Sequence, residues 1–242
     1  MVGSLFKADR LTPAFFSKKR IPGIVLLITM CTISLLAACG NAGNDGDGAA
    51  GSVAIDGEVL QQLNELEERV KNFIPSKEHD LFAIAAINEA ISAAKNGSFG
   101  AGAILVNNET NEILYRGQNK VFLEFRSDLH AEMDLLNTFE IQNKSNSRYL
   151  LRNITLFSSL ESCPMCLCRI ITSGVQNVYH LADDFGGGMV HLFDQLPPVW
   201  RDISEGRIYK KAECYEELSE IAEKVFLLTA DLDNKLKARD LL

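Results

Sequence analysis

His130-Ala131-Glu132 and, after a gap of 30 residues, Cys163-Pro164-Met165-Cys166 bring together an imidazole, a carboxylate and two thiols. One histidine and two cysteines are three zinc ligands, a set that leaves a fourth position for water, as a catalytic rather than a structural zinc site requires. Both segments stand where a helix is expected to begin, and Pro164 suits the first turn of the second. A helix N-terminus offers partial positive charge and free amide hydrogens, which favour the thiolates that bind metal. Glu132 lies ~200° around a regular helix from His130 and so does not duplicate the ligand's direction. It suits acid/base work: it accepts a proton from metal-activated water and later delivers it to the reaction site. One Zn2+ per chain held by His130, Cys163 and Cys166 is therefore expected, with Glu132 as the catalytic base. The competing chemistry is a thiol redox pair or a bridge between Cys163 and Cys166. Cys168 and Cys214 lack the spacing to complete the metal site and are read as plain buried thiols.

The elements that must position these residues follow from periodicity. Residues 58–73 repeat apolar side chains every three or four positions and read as an amphipathic helix stopped by Pro75. Ser76 can cap a second helix that runs to Asn96-Gly97. Residues 101–106 and 113–116 form two strands around a turn of Asn107-Asn108-Glu109-Thr110-Asn111. A helix over 126–138 carries His130 and Glu132, and a strand at 154–158 leads into the helix of 164–173. A strand follows at 175–181, and an amphipathic helix over 212–228 closes the chain. Strand alternating with helix argues for a layered α/β sheet. His79, His180 and His191 are read as surface or strand residues without a role. Gly186-Gly187-Gly188 reads as a flexible connection and Trp200 as an aromatic packed on the core.

At the chemical residues the sequence resembles the cytidine and deoxycytidylate deaminase superfamily, whose signature is H-x-E followed by P-C-x-x-C. The likeness runs from about residue 76 to 228, with Gly117-Gln118-Asn119 similar to a G-x-N segment and Ala182-Asp183-Asp184 similar to the strand end beyond the second motif. It implies a three-layer α/β/α fold with a central mixed sheet of about five strands. It also implies a zinc-dependent hydrolase of carbon–nitrogen bonds in cyclic amidines. Ser162 stands where the family usually has proline, a departure expected to touch neither ligands nor base. Asn119 is implied as the substrate amide, able to hydrogen-bond a base or ribose edge in both senses, and the Ala131 and Cys163 amides as aids to orientation. The Met165 context looks most like the tRNA adenosine deaminase and guanine deaminase branch. Arg126-Ser127-Asp128-Leu129 diverges from that branch's D-P-T-A before the histidine, so the substrate does not carry over. Enzymes of this superfamily are often oligomers, and a homo-oligomer is compatible with the sequence.

Lys18, Lys19 and Arg20 precede an almost wholly apolar run over 21–38, and Leu36-Ala37-Ala38-Cys39 resembles a bacterial lipoprotein box. That resemblance implies cleavage after Ala38 and lipid on Cys39, which anchors an extracytoplasmic domain on the periplasmic or cell-surface side; an uncleaved anchor gives the same side. The expected organisation is a signal peptide over 1–38, a glycine-rich tether over 39–57, a helix over 58–75, the deaminase domain over 76–230 and a helical tail over 231–242. The whole chain of 242 residues is 47% hydrophobic and 23% charged, a globular mixture. Five of its 24 basic residues and one of its 32 acidic residues precede residue 21, leaving a body of 19 basic against 31 acidic. Such a body, exported from the cytoplasm, lacks the broad basic surface that nucleic acid requires. A small-molecule nucleobase or nucleoside is the expected substrate; a non-catalytic zinc-binding lipoprotein on the same scaffold is the alternative.

Overall fold

The computed structural model of the chain describes residues 55–144 and 151–231. The apolar run of 21–38, Cys39, most of the tether and all but the first residue of the tail lie outside those residues. No helix among the described residues is long and apolar enough to cross a membrane.

The expected α/β/α layering is what the chain forms. Five strands, β1 (Gly102–Asn107), β2 (Ile113–Gln118), β3 (Ile154–Leu160), β4 (Asn177–Ala182) and β5 (Ile208–Lys211), lie in the order β2-β1-β3-β4-β5. β1 is antiparallel to both β2 and β3, whereas β3, β4 and β5 run parallel, so the sheet is mixed. Alternate residues of β1 feed opposite cores. Ile104 and Val106 join Leu63, Leu66, Ile87 and Leu218 under α1 (Gly57–Lys71), α2 (Asp80–Lys95) and α6 (Glu216–Leu227). Ala103 and Leu105 join Leu135, Phe139 and Ile170 under α3 (Ala131–Gln142) and α4 (Pro164–Ser173). A smaller cluster of Leu167, Ile171 and Leu196 takes Trp200, on α5 (Pro198–Ile203), against its flank.

Several expected boundaries move, each for a local reason. The last tether residues belong to the fold, because Asp56 caps α1 by accepting from the Glu58 and Val59 amides at 2.8 and 3.4 Å. α2 is not capped by Ser76; the relation is reversed, with the Ser76 and Lys77 amides donating to Asp80 Oδ2 at 2.9 and 2.7 Å. Asp80 Oδ1 accepts from the Tyr215 amide at 3.0 Å, which ties the start of α2 to the start of α6. The third helix begins at Ala131 rather than 126, since Arg126 folds back on Asp128 at 2.6 Å and His130 is extended, with φ −69° and ψ 164°. The closing helix begins at Glu216, and the segment before it supplies β5, which the periodicity did not reveal.

Candidate active site

Two helix starts converge at the carboxyl end of β3. His130 is the N-cap of α3 and Cys163 the N-cap of α4, and both backbones are extended. An N-cap side chain ordinarily turns back to accept from its own helix; neither His130 nor Cys163 makes such a bond. Their ligand atoms face each other instead, Cys163 Sγ lying 3.6 Å from His130 Nδ1. With Cys166, one turn into α4 and fully buried, they form a group whose ligand atoms lie within 4.8 Å of one another. The close approach of α3 to β2 has a sequence cause in Gly117, where a Cβ would sit 2.5 Å from the Ala131 carbonyl oxygen and 2.7 Å from Leu135 Cβ.

The electrostatics fit a cation at this point. The Cys166 thiol, helped by His130 and by the Cys166 amide at the helix start, brings Cys163 down to about 4 against the opposing effect of burial. Its thiolate in turn raises His130 above its usual value, against the burial of the ring. Cys166 is pushed up, first by its bond to Cys163, then by burial and the nearby Glu132 charge. The Cys163–Cys166 bond therefore favours one thiolate rather than two, and a bound divalent cation would ionise the second thiol. One imidazole and two thiols are a zinc donor set, so the residues present fit that metal.

Glu132 sits beside this group, 5% exposed. Its Oε1 accepts from Ser162 Oγ at 2.8 Å and more distantly from Ser158 Oγ at 3.5 Å. Ser162 therefore does touch the base, contrary to the expectation from sequence.

His130, Glu132, Cys163 and Asn119 share the lining of one cavity of about 160 Å³, whose apolar walls include Phe99, Leu160 and Phe226. Asn119 is 3% exposed, and its Oδ1 accepts from Ser98 Oγ at 2.7 Å and the Val121 amide at 3.2 Å. It thus meets the cavity as a donor through its NH2, rather than in both senses. Ala131 is fully buried and is not among the lining residues.

Two lining carboxylates escaped the sequence reading, Glu161 and Asp184. Glu161 Oε1 accepts from the His191 amide at 2.7 Å and bonds His191 Nδ1 at 2.8 Å, while Oε2 accepts from the Asp184 amide at 3.0 Å. Burial pushes Glu161 up, but these donors hold it below the usual carboxylate range. Asp184 Oδ1 accepts from the Gly186 and Gly187 amides at 3.1 and 2.9 Å. Gly187 and Gly188 are closely fitted rather than a loose connection: a Cβ would lie 2.7 Å from Asp184 Oδ2 on the first and 2.5 Å from Glu161 Cδ on the second. No local pattern marks these residues, because their partners lie across the turn beyond β4.

His79 is buried rather than a surface residue, and His180 is a strand residue of β4, as expected, and buried there. His79 Nδ1 accepts from the Glu213 amide at 2.9 Å, and His180 Nε2 pairs with Asp183 Oδ1 at 2.9 Å. Glu161, His180 and Asp183 also bring ligand atoms within 4.8 Å, yet His191 and Lys211 already hold those carboxylates. Cys168 is half-buried and Cys214 buried; both are free thiols outside the metal group.

Residues 76–182 match the family described as the cytidine and deoxycytidylate deaminase zinc-binding region. A tRNA-specific adenosine deaminase of Bacillus subtilis (strain 168) is 37% identical over 109 residues, covering 45% of this chain and 65% of that protein. A tRNA-specific adenosine deaminase of Haemophilus influenzae is 28% identical over 144 residues, 57% of this chain and 80% of that one. Among solved structures, one from a study of A-to-I editing by tRNA:A34 deaminases has a TM-score of 0.50 at 21% identity, covering 60% of this chain and 98% of its own. The chain thus spans just under two thirds of the Bacillus relative's length, and the likeness to the solved structure is one of fold.

Proposed function

Residues 76–182 carry the cytidine and deoxycytidylate deaminase zinc-binding region, and from that premise we propose that this protein is a zinc-dependent hydrolytic deaminase of a nucleobase or nucleoside. The observation that carries the reading is the buried Glu132 carboxylate on the same cavity as His130 and Cys163. His130, Cys163 and Cys166 hold the zinc ion, which when bound supplies the Lewis acidity that lets water ionise near neutral pH. Glu132 accepts the proton of the attacking water and delivers protons to the ring nitrogen beside the reacting carbon and to the departing amine. Water is consumed, the exocyclic C–N bond breaks, a carbonyl replaces it and ammonia leaves. Asn119 donates its NH2 to an acceptor on the base or ribose edge. By the same resemblance we take the backbone amide of Cys163, which lines the cavity, as a further donor.

The cavity supports a small, uncharged substrate. Glu132, Glu161 and Asp184 line it and, among the described residues, no lysine or arginine does, so a phosphate entering there meets three carboxylates with no ammonium or guanidinium side chain to offset them. Its 160 Å³ also lies below the roughly 300–1,000 Å³ of drug-sized ligand pockets. We take a free base or nucleoside, rather than a nucleotide, as the substrate. The names of the Bacillus and Haemophilus relatives sustain a second reading, a base presented by a tRNA. The acidic body, 19 basic residues against 31, stands against the phosphate neutralisation such a substrate needs. We further place the enzyme outside the cytoplasmic membrane, tethered through lipid on Cys39.

Ammonia release over a panel of bases, nucleosides, 5′-monophosphates and a tRNA tests the reading. Turnover of bases or nucleosides, with the monophosphates rejected, supports it. Turnover of tRNA alone favours the second reading, and zinc-loaded protein inert to every member points to a binding role.

A further inference from the structure

We propose that Ser162 is a positioning residue for Glu132, fixing one carboxylate oxygen so that the other side of the group meets the reacting water and amine. The inference rests on the reading of Glu132 given above. Ser162 and Glu132 lie 30 residues apart in sequence and on different elements, one in the turn before α4 and the other in the first turn of α3. Their hydrogen bond is 2.8 Å long and fully inside the protein, with Ser162 1% and Glu132 5% exposed. It therefore links the two helix starts that carry the ligands, independently of any metal.

The serine is itself well anchored. Its carbonyl accepts from the Met189 amide at 2.9 Å, and its neighbour Cys163 begins α4. The donor therefore has little freedom to follow a wandering carboxylate. Ser158 Oγ reaches the same Oε1 only at 3.5 Å, at the edge of hydrogen-bond geometry. A proline at 162, as the family resemblance implies, has no side-chain donor to offer. The departure from the family pattern thus supplies a contact rather than only relaxing a turn. Reacting groups must be held to within a fraction of an ångström for full effect, and a displacement of about 1 Å costs on the order of a hundredfold in rate.

The test compares Ser162→Ala, Ser162→Thr and Ser162→Pro with the unaltered protein, zinc-loaded and metal-free. With the substrate found by the panel, Ser162→Ala and Ser162→Pro are expected to lower kcat roughly 10- to 100-fold. KM, zinc content and melting temperature should stay close to those of the parent for Ser162→Ala, and Ser162→Thr should recover most of the lost kcat. In the metal-free protein, the ¹³C carboxyl resonance of Glu132, identified by its disappearance in Glu132→Gln, should move in Ser162→Ala and return in Ser162→Thr. A parent that turns over while Ser162→Ala matches its kcat overturns this inference alone. So does a loss of kcat that tracks zinc content or melting, or that threonine does not rescue. A parent inert to every substrate overturns the deaminase reading and this role with it, and an unmoved carboxyl resonance then denies the contact itself.

Discussion

At the scale of single residues, the grouping of His130, Glu132, Cys163 and Cys166 was legible because its message is short-range: a histidine, a glutamate two positions on and a Cys-x-x-C pair each fall within one turn of chain. Cys166→Ala, which removes the ligand that only a cation ionises, is expected to leave the protein without stoichiometric zinc. Cys168→Ala and Cys214→Ala should keep it, as elemental analysis of the three proteins will show. The carboxylates that shape the cavity were not legible, because Glu161 meets Asp184 and His191 only after the chain has passed through α4 and β4. Asp184→Asn keeps an acceptor for the glycine amides while turning the other end of the side chain into a donor. For a substrate that presents an N–H or O–H there, loss of a bond to a charged group of about 1.5–3 kcal/mol should raise KM roughly 10- to 100-fold. A KM unchanged by this substitution would remove Asp184 from substrate recognition.

At the scale of elements, the cores were readable where apolar spacing is strong, as in α1 with Leu63, Leu66 and Val70. Periodicity failed where a hydrogen bond or an edge decided. The Arg126–Asp128 pair delays α3, and β5 is an edge strand whose Ile208-Tyr209-Lys210-Lys211 reads as polar chain, as edge strands with lysine do. Gly117 shows how a backbone requirement hides in one letter, since its lack of a Cβ lets α3 lie on β2. Gly117→Ala should cost about 1–3 kcal/mol of stability through overpacking and weaken zinc binding by shifting His130. Denaturant unfolding and zinc titration measure the two effects separately. Asp80 offers a second test of element docking. Burial raises its pKa, but the Lys77, Ser76 and Tyr215 amides bring it below the usual 3.8. A depressed native value means that its stabilisation is complete above about pH 4 and is lost as the pH falls through that lower value. Asp80→Ala should therefore cost about 1–3 kcal/mol at neutral pH by taking the acceptor from the Ser76, Lys77 and Tyr215 amides, and should flatten the decline of stability below pH 4. Equal pH slopes in parent and variant would exclude this account.

At the scale of the whole molecule, layering followed from the order of strand and helix and the five-strand sheet from the family resemblance, whereas the cellular side rests on residues 1–39 alone. Cys39→Ser should abolish incorporation of labelled fatty acid and release the protein from the membrane fraction. Incorporation that persists in the variant would contradict the lipid anchor. The acid excess of the body and a cavity that no described lysine or arginine lines together predict negligible tRNA retention at physiological salt, measurable by filter binding. The central claim is that Glu132, beside a zinc ion held by His130, Cys163 and Cys166, drives hydrolysis of an exocyclic amine. It is tested most directly by ammonia release from the purified, zinc-loaded protein over bases and nucleosides, with Glu132→Ala alongside at matched zinc content. The expected result is turnover in the parent and a loss of at least about 10²–10⁴-fold in the variant, the range of a general acid/base contribution. Equal rates in the two proteins, or zinc-loaded parent that releases no ammonia from any of them, would contradict it.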